Sequence, residues 1–125
     1  MHLPEIIQTI IIEDCRFSNI ILQHFCESHT NIQLNRSFED LSEAIPHIET
    51  HPVDLVFLDI ELKHSNGFDV LKYLKPQTIV ILTSYKAENF EIAKKNGINH
   101  YLPKPFAIEN FLSTIERIKR ESNSD

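Results

Sequence analysis

The sequence lacks several features that would assign it to a specialised class of protein. None of its apolar stretches is as long as a membrane-spanning helix requires. Its N-terminus, MHLPEIIQT, has neither the basic segment nor the small-residue cleavage site of a secretory signal. With 42% hydrophobic and 24% charged residues, the composition is that of a soluble globular protein. These observations argue against a membrane protein and favour one that stays in the cytoplasm.

The sequence also has no excess of basic residues. It carries 12 Lys and Arg against 18 Asp and Glu, which gives a net charge of −6 with neutral histidines. Proteins that bind nucleic acid draw much of their affinity from clustered Lys and Arg, so this balance argues against nucleic acid as a direct partner. At 125 residues the chain has room for one hydrophobic core and none for a second domain.

Cysteine and histidine do not form a pattern typical of a metal or redox site. Cys15 and Cys26 lack Cys-x-x-Cys spacing, so we interpret them as small packing residues. His47 and His51 have the i, i+4 spacing that places two imidazoles on one helical face. However, Pro52 closes that helix and no third ligand stands nearby. We therefore expect both histidines to lie on the surface.

Two hydrophobic periodicities alternate along the chain. Short apolar runs predict strands over residues 6–12, 31–35, 53–58, 78–83 and 98–102. Apolar residues at helical spacing predict five helices, over residues 17–25, 41–48, 68–74, 87–96 and 108–118. The face of the first helix is formed by Phe17, Ile20, Ile21 and Phe25. Gly97 stands where the fourth helix needs a left-handed residue at its end.

Alternating strands and helices imply parallel strands that are joined by right-handed crossovers. The expected fold is therefore an open α/β sheet with helices on both faces. Strands that are apolar throughout fit this double coverage. In such folds ligands bind beyond the carboxyl ends of the strands, so the residues at those ends are the candidates for a functional site.

Acidic, hydroxyl and basic side chains stand at the predicted strand ends. Glu13 and Asp14 follow the first strand and Asp59 follows the third, while Thr83 ends the fourth and Lys104 follows the fifth. Carboxylates about 4 Å apart repel by about 4 kcal/mol per pair at an effective dielectric of about 20, so a proton or a cation must balance them. Oxygen ligands without nearby histidine or cysteine favour Mg²⁺. With a lysine and a hydroxyl beside it, such a site would hold a phosphoryl group.

Four motifs in this order resemble the signature of a response-regulator receiver domain. They are Glu13-Asp14, LVFLDIEL with NGFDVLKYL, the pair Thr83-Ser84, and AKKNGINHYLPKPF. The resemblance covers the whole chain, so we expect residues 1–125 to form a single receiver domain similar to the chemotaxis regulators. It implies a flavodoxin-like (βα)5 three-layer sandwich whose parallel sheet has the order 2-1-3-4-5. It also implies a role in two-component signal transduction.

The resemblance implies a role for each matching residue. Asp59 would be the phosphoacceptor, taking a phosphoryl group from the phosphohistidine of a sensor histidine kinase or of a phosphotransfer protein. Glu13, Asp14, Asp59 and the backbone carbonyl of Glu61 would bind Mg²⁺. Lys104 would pair with the phosphoryl oxygens. The product would be a phosphoprotein with an aspartyl phosphate.

The resemblance also implies a switch. Thr83 would move its hydroxyl onto the phosphoryl group, and Tyr101 would turn inward into the space that this movement leaves. A partner-binding surface on the fourth helix, the fifth strand and the fifth helix would change as a result. Glu61 and Tyr85 stand at positions that would tune how fast the acyl phosphate hydrolyses.

Two further expectations concern the loops around the site. The resemblance implies a cis peptide bond between Lys104 and Pro105, which an X-Pro sequence permits at modest cost. Leu62-Lys63 departs from the Met-Pro pair that the family often has after the phosphoacceptor. Leucine preserves the volume of methionine, and the departure leaves the metal ligands unchanged.

Two other functions remain open. An Mg²⁺-dependent phosphohydrolase with an aspartyl nucleophile would need a general acid two residues later, where Glu61 stands. A chain of 125 residues leaves no room for a cap over its substrate. A pseudo-receiver would bind its partners without phosphorylation. We expect mainly a signalling switch with self-catalysed phosphotransfer and autodephosphorylation, and leave open whether it counts as an enzyme.

The expected partners follow from the same interpretation. They are the kinase and either a downstream effector protein or an output domain missing from this chain. We favour a single-domain regulator over a receiver cut from a longer protein. A phosphorylation-dependent homodimer remains open, and we expect no direct contact with nucleic acid or membrane.

Overall fold

The computed structural model describes residues 3–122, in which strands and helices alternate. The strands are β1 (Ile7–Ile12), β2 (Ile32–Phe38), β3 (Leu55–Asp59), β4 (Ile79–Ser84) and β5 (His100–Pro103). The helices are α1 (Arg16–Glu27), α2 (Leu41–Thr50), a 3₁₀ helix (Gly67–Tyr73), α3 (Glu88–Lys95) and α4 (Ile108–Ser122). Residues 1–2 and 123–125, at the two ends of the chain, lie outside the described residues.

The strands form one parallel sheet of order β2-β1-β3-β4-β5. This confirms the predicted flavodoxin-like topology. β1 and β3 are neighbours even though β2 lies between them in sequence, so chain order reverses beside β1. The carboxyl ends of β1, β3, β4 and β5 meet along one edge of the sheet because all four strands run in the same direction.

The sheet separates two hydrophobic layers. On one face α1 and α4 pack around Leu22, Phe57 and Phe111. On the other face α2, the 3₁₀ helix and α3 pack against Ile10, Val56 and Leu82. Alternate residues of each strand point to opposite faces, so the apolar strands bury both of their sides. The result is the predicted sandwich of three layers.

The buried face of the first helix coincides only in part with the predicted one, since Phe25 packs against the core but Phe17 and Ile20 do not. Its buried residues are Ser18, Asn19, Leu22 and Cys26. Phe17 is 75% exposed and Ile20 is 56% exposed, so the predicted face was wrong at these two positions. The Asn19 side-chain amide donates a hydrogen bond of 2.8 Å to the carbonyl of Glu13 at the end of β1. The helix therefore buries the polar residue Asn19, which supplies a hydrogen-bond donor to the carbonyl of Glu13 after β1.

The segment predicted as the third helix is a 3₁₀ helix. Asn66 caps it, since its side-chain oxygen accepts a hydrogen bond from the Phe68 amide. Gly67 lies against the end of β3, and a Cβ at this position would come within 2.6 Å of the carbonyl oxygen of Asp59. Gly97 has a φ of +81° directly after α3, as predicted for a left-handed helix end.

The strand boundaries differ from the prediction by up to three residues, and hydrogen bonding explains two of these differences. β2 continues to Phe38 because it pairs with β1 up to the end of that strand. β5 begins at His100 rather than Ile98, since the Ile98 amide donates to the carbonyl of Ala93 and closes α3. The polar sequence of β2 had indicated a shorter strand than its pairing supports.

Four of the predicted surface or packing residues can now be placed. Cys26 is buried as predicted, but Cys15 is only partly buried at the start of α1. His51 is exposed as predicted. His47 is buried against Phe38, with ring centroids 5.3 Å apart, so its assignment to the surface was wrong. Burial and the neighbouring His51 lower the pKa of His47 below its usual value.

No helix within residues 3–122 combines the length and the apolar character that crossing a bilayer would need.

Candidate functional site

Three carboxylates meet at the carboxyl edge of the sheet. Glu13 and Asp14 follow β1, and Asp59 is the last residue of β3, the strand beside it. One carboxylate oxygen from each of the three residues lies within 4.8 Å of the corresponding oxygens of the other two. Glu13 and Asp59 are each 1% exposed, whereas Asp14 is partly exposed. The order of the strands produces this cluster, because Asp59 is 45 or more positions away from the other two acids in sequence.

Lys104 brings a buried positive charge to the same place. Its Nζ lies 2.6 Å from Glu13 Oε1 and 3.3 Å from Asp59 Oδ1. The Lys104 amide donates to the carbonyl of Ser84, which continues the pairing of β4 with β5 beyond the strand. The peptide bond from Lys104 to Pro105 is cis. The side chain thus stands between two of the three acids.

Glu13 is held by several groups at the end of β1. Its amide donates to the carbonyl of Phe38, and its Oε2 accepts a hydrogen bond of 3.0 Å from the Cys15 amide. Burial and a hydrogen bond with Asp59 raise the pKa of Glu13 to about 8, even though Lys104 acts in the opposite direction. Burial is the larger of the two causes, so the shift mainly reflects the cost of ionising Glu13 away from water.

Lys104 stays charged in this environment. Burial alone would lower the pKa of its ammonium group, but the hydrogen bond to Glu13 and the charge of Asp59 outweigh that effect and raise it. The site therefore combines a permanent ammonium ion with a group of carboxylates that still need a proton or a cation.

Asp59 and Thr83 are paired residues of neighbouring strands. The Asp59 side chain accepts a hydrogen bond of 2.9 Å from the Glu61 amide. The Thr83 hydroxyl is buried and has no hydrogen-bond partner within residues 3–122. A buried hydroxyl without a partner is costly, and a bound water, ion or ligand would satisfy it. Ser84 differs, because its Oγ binds the Lys86 amide in the following loop.

Glu61 and Tyr85 face each other across the rim of the site. Glu61 Oε1 accepts a hydrogen bond of 3.1 Å from the Tyr85 amide. The Tyr85 ring lies over Lys104, with Nζ 5.3 Å from the ring centroid, although the residue is 61% exposed. These contacts bridge the loops that follow β3 and β4.

Tyr101 lies apart from the carboxylates. Its ring stacks on Phe90 of α3 at a centroid distance of 4.8 Å. Its hydroxyl donates a hydrogen bond of 3.3 Å to the carbonyl of Ile98. Of the residues predicted for the site, the structure therefore gathers Glu13, Asp14, Asp59, Glu61, Thr83, Tyr85 and Lys104, and leaves Tyr101 on the neighbouring surface.

Sequence reasoning missed three residues that support the site. Asn19 binds the backbone of Glu13 from α1, and Gly67 allows the 3₁₀ helix to approach Asp59. The Lys63 amide donates a hydrogen bond of 2.6 Å to Asp14 Oδ2. Only the Asn-Gly turn at 66–67 left a signal in the sequence, and that signal did not reveal the contact with Asp59.

The donor set fits a magnesium ion. All three clustered side chains offer carboxylate oxygens, and hard oxygen ligands are those that Mg²⁺ prefers. A carboxylate nucleophile, an ammonium group and a hydroxyl around such an ion could together hold a phosphoryl group.

Comparison with known proteins points the same way. A model of the response regulator receiver domain family matches residues 9–116. The chain is 24% identical over 122 residues to the sensory transduction protein LytT of Bacillus anthracis, covering 94% of this chain and 49% of that protein. It is 29% identical over 114 residues to the Fimbriae Z protein of Salmonella typhimurium, covering 87% and 54%. The chain thus spans about half the length of these relatives.

A solved structure shows the same fold. The chain superposes on a CheY-like response regulator receiver domain protein from Methanospirillum hungatei JF-1 with a TM-score of 0.81. The sequence identity is 20%, and the match covers 94% of this chain and 97% of the other.

Proposed function

The chain belongs to the family of response regulator receiver domains, and from this premise we propose that it accepts a phosphoryl group on the carboxylate of Asp59. Acceptance of a phosphoryl group is the general function of this family. The observation that carries the proposal is the buried Asp59 carboxylate, 3.3 Å from the Lys104 ammonium group and clustered with two further acids.

In the proposed reaction an Asp59 oxygen attacks the phosphorus of a phosphohistidine. The O–P bond forms as the N–P bond breaks, and the imidazole nitrogen keeps the electron pair. Catalysis of this kind consists mainly of positioning and charge neutralisation. Lys104 supplies a positive charge beside the attacking oxygen, and its ammonium group would pair with the phosphoryl oxygens after transfer.

Receiver domains generally use Mg²⁺ at an acidic site, and this chain has such a cluster. We assign Glu13, Asp14 and Asp59 as its side-chain ligands, with the backbone carbonyl of Glu61 as a further ligand. Bound Mg²⁺ would neutralise charge that develops on the phosphoryl oxygens. Glu13 would have to give up its proton to act as a ligand.

Thr83 and Tyr101 are the residues proposed to carry the switch. The Thr83 hydroxyl is free to bind a phosphoryl oxygen, since it has no partner within residues 3–122. Tyr101 would leave its stacked position on Phe90 and turn inward. The surface formed by α3, β5 and α4 would change, which is the charge-triggered population shift that a phosphorylation switch needs.

Glu61 and Tyr85 are proposed to set the lifetime of the aspartyl phosphate. Their hydrogen bond closes the rim between the loops after β3 and β4. The Tyr85 ring beside Lys104 would narrow the approach of a water molecule to the phosphorus.

Response regulators work with histidine kinases and output effectors. We propose that a sensor histidine kinase or a phosphotransfer protein is the phosphodonor and that the cytoplasm is the site of action. We further propose that residues 1–125 form one receiver domain, which a downstream effector protein or an attached output domain reads.

Intact mass spectrometry after incubation with acetyl phosphate and Mg²⁺ tests the phosphoacceptor. The unmodified protein should gain one phosphoryl group and Asp59→Asn should gain none. Asp69→Asn is the matched control, since Asp69 is an exposed acid of the 3₁₀ helix and its variant should be phosphorylated normally.

Two results would contradict the proposal. A phosphoryl group on Asp59→Asn would place the acceptor elsewhere, and no gain by the unmodified protein would favour a pseudo-receiver. Many turnovers on small phosphate esters would instead favour a phosphohydrolase.

A further inference from the structure

A backbone amide contacts one of the three clustered acids. The Lys63 N–H donates to Asp14 Oδ2 at 2.6 Å, across 49 positions of sequence. Lys63 lies in the loop between β3 and the 3₁₀ helix, and its side chain is exposed. The bond therefore ties that loop to the acidic residue after β1, on the solvent side of the cluster.

Asp14 is held differently from the other two acids. Lys104 contacts both Glu13 and Asp59 with its ammonium group. Asp14 is the more exposed acid, and the loop amide is its hydrogen-bond donor. Glu13 and Asp59 also accept hydrogen bonds from the backbone amides two residues further along the chain, whereas the donor to Asp14 comes from a loop 49 positions away.

A hydrogen bond to a carboxylate is strengthened by the negative charge of its acceptor. The N–H dipole points its positive end at Oδ2, the direction from which a cation would also be attracted. A divalent ion that approaches this oxygen therefore meets a like charge, and the amide withdraws part of the electron density that the ion needs. The hydrogen bond and an ion bound at Oδ2 compete for the same oxygen.

We propose that the Lys63 amide is a latch that competes with Mg²⁺ for Asp14, so that metal binding releases the loop between β3 and the 3₁₀ helix. This inference rests on the proposed function, because it takes Asp14 as a metal ligand. The latch sets the affinity for Mg²⁺ and couples occupancy of the site to the conformation of residues 62–66. Lys63 acts through its backbone as a positioning residue, and its side-chain charge has no part in the latch.

Proline at position 63 removes the donor, since proline is the residue without a backbone N–H. The backbone of Lys63 is not left-handed, so the ring is compatible in this respect. Lys63→Ala is the matched control because it removes the same side-chain charge and keeps the amide. Isothermal titration of both variants with Mg²⁺ alone should give a dissociation constant about three- to tenfold lower for Lys63→Pro, the ratio that corresponds to the usual net worth of one hydrogen bond.

A second measurement uses the unmodified protein and needs no substitution. Amide hydrogen exchange, followed by ¹⁵N NMR, should show Lys63 protected without Mg²⁺ and exchanging faster at saturating Mg²⁺. Unchanged protection, or equal or weaker Mg²⁺ binding by Lys63→Pro relative to Lys63→Ala, would overturn the latch and leave the phosphoacceptor proposal intact. No binding of Mg²⁺ by any of the three proteins would overturn both.

Discussion

Among single residues, Gly67 shows how closely two backbone segments approach beside Asp59, the proposed phosphoacceptor. A Cβ at this position would lie 2.6 Å from the carbonyl oxygen of Asp59 and 3.2 Å from the Cα of Ile60. Both are backbone atoms at the end of a buried strand, so they cannot move aside without displacing Asp59. The glycine is therefore required by lack of space, whereas Gly97 is required by its positive φ.

Gly67→Ala should destabilise the protein by about 1–3 kcal/mol, as overpacking of a close contact usually does. It should also slow phosphorylation of Asp59, since the strand end has to shift. Urea unfolding and the rate of mass gain with acetyl phosphate measure the two effects. Gly97→Ala is the control: its Cβ has nothing within 4 Å, so it should lose stability through backbone strain alone and phosphorylate at the normal rate. Normal phosphorylation of Gly67→Ala would show that the contact does not position Asp59.

Polar contacts at their ends connect the helices and strands around the site. α1 begins two residues after Asp14, and its Asn19 donates a hydrogen bond to the carbonyl of Glu13. Leu22 of this helix is buried in the core, while Phe17 is exposed. Hydrophobic spacing alone placed Phe17 and Ile20 in the core, because it counts apolar residues and cannot register a buried polar residue such as Asn19.

The orientation of α1 predicts different losses of stability when two of its large apolar residues are shortened. Leu22→Ala should cost about 2–5 kcal/mol, because it leaves a cavity in the core. Phe17→Ala should change the free energy of unfolding by no more than about 0.5 kcal/mol, since Phe17 is 75% exposed. Urea denaturation of both variants is the measurement. A larger loss for Phe17→Ala would mean that the helix packs through its predicted face.

At the scale of the whole molecule, the parallel sheet collects residues that are far apart in sequence. Glu13, Asp59 and Lys104 come from three strand ends and are all buried at the same edge. Burial and a hydrogen bond with Asp59 raise the pKa of Glu13 to about 8, so ionising Glu13 costs free energy in the folded state. A cation bound beside these carboxylates would offset that cost.

Mg²⁺ should therefore stabilise the whole domain. At a free concentration one hundred times its dissociation constant, it should raise the free energy of unfolding by about 2.7 kcal/mol. Thermal unfolding with Mg²⁺ and with excess chelator measures the difference. Asp14→Asn serves as the control and should respond much less. An identical midpoint with and without Mg²⁺ in the unmodified protein would argue against the assigned metal site.

The sequence by itself determined the class of fold, the order of its elements and the residues at the strand ends. Hydrophobic periodicity distinguishes strands from helices, and buried parallel strands must be apolar on both faces. Both features can be recognised within a short segment of the sequence. The position of Asp59 after an apolar run marked it as a charged residue at the edge of the sheet. The same local logic located Gly97 at the end of α3.

Only the tertiary structure decided the contacts that depend on two distant segments. The Lys63 amide on Asp14, the space that Gly67 leaves for Asp59 and the inward turn of Asn19 each join parts of the chain that no periodicity connects. His47 is buried for the same reason, because Phe38 of the neighbouring strand covers it. The type of a residue does not reveal which distant group its backbone amide will contact or how much space surrounds it. These features can be seen only in the folded structure.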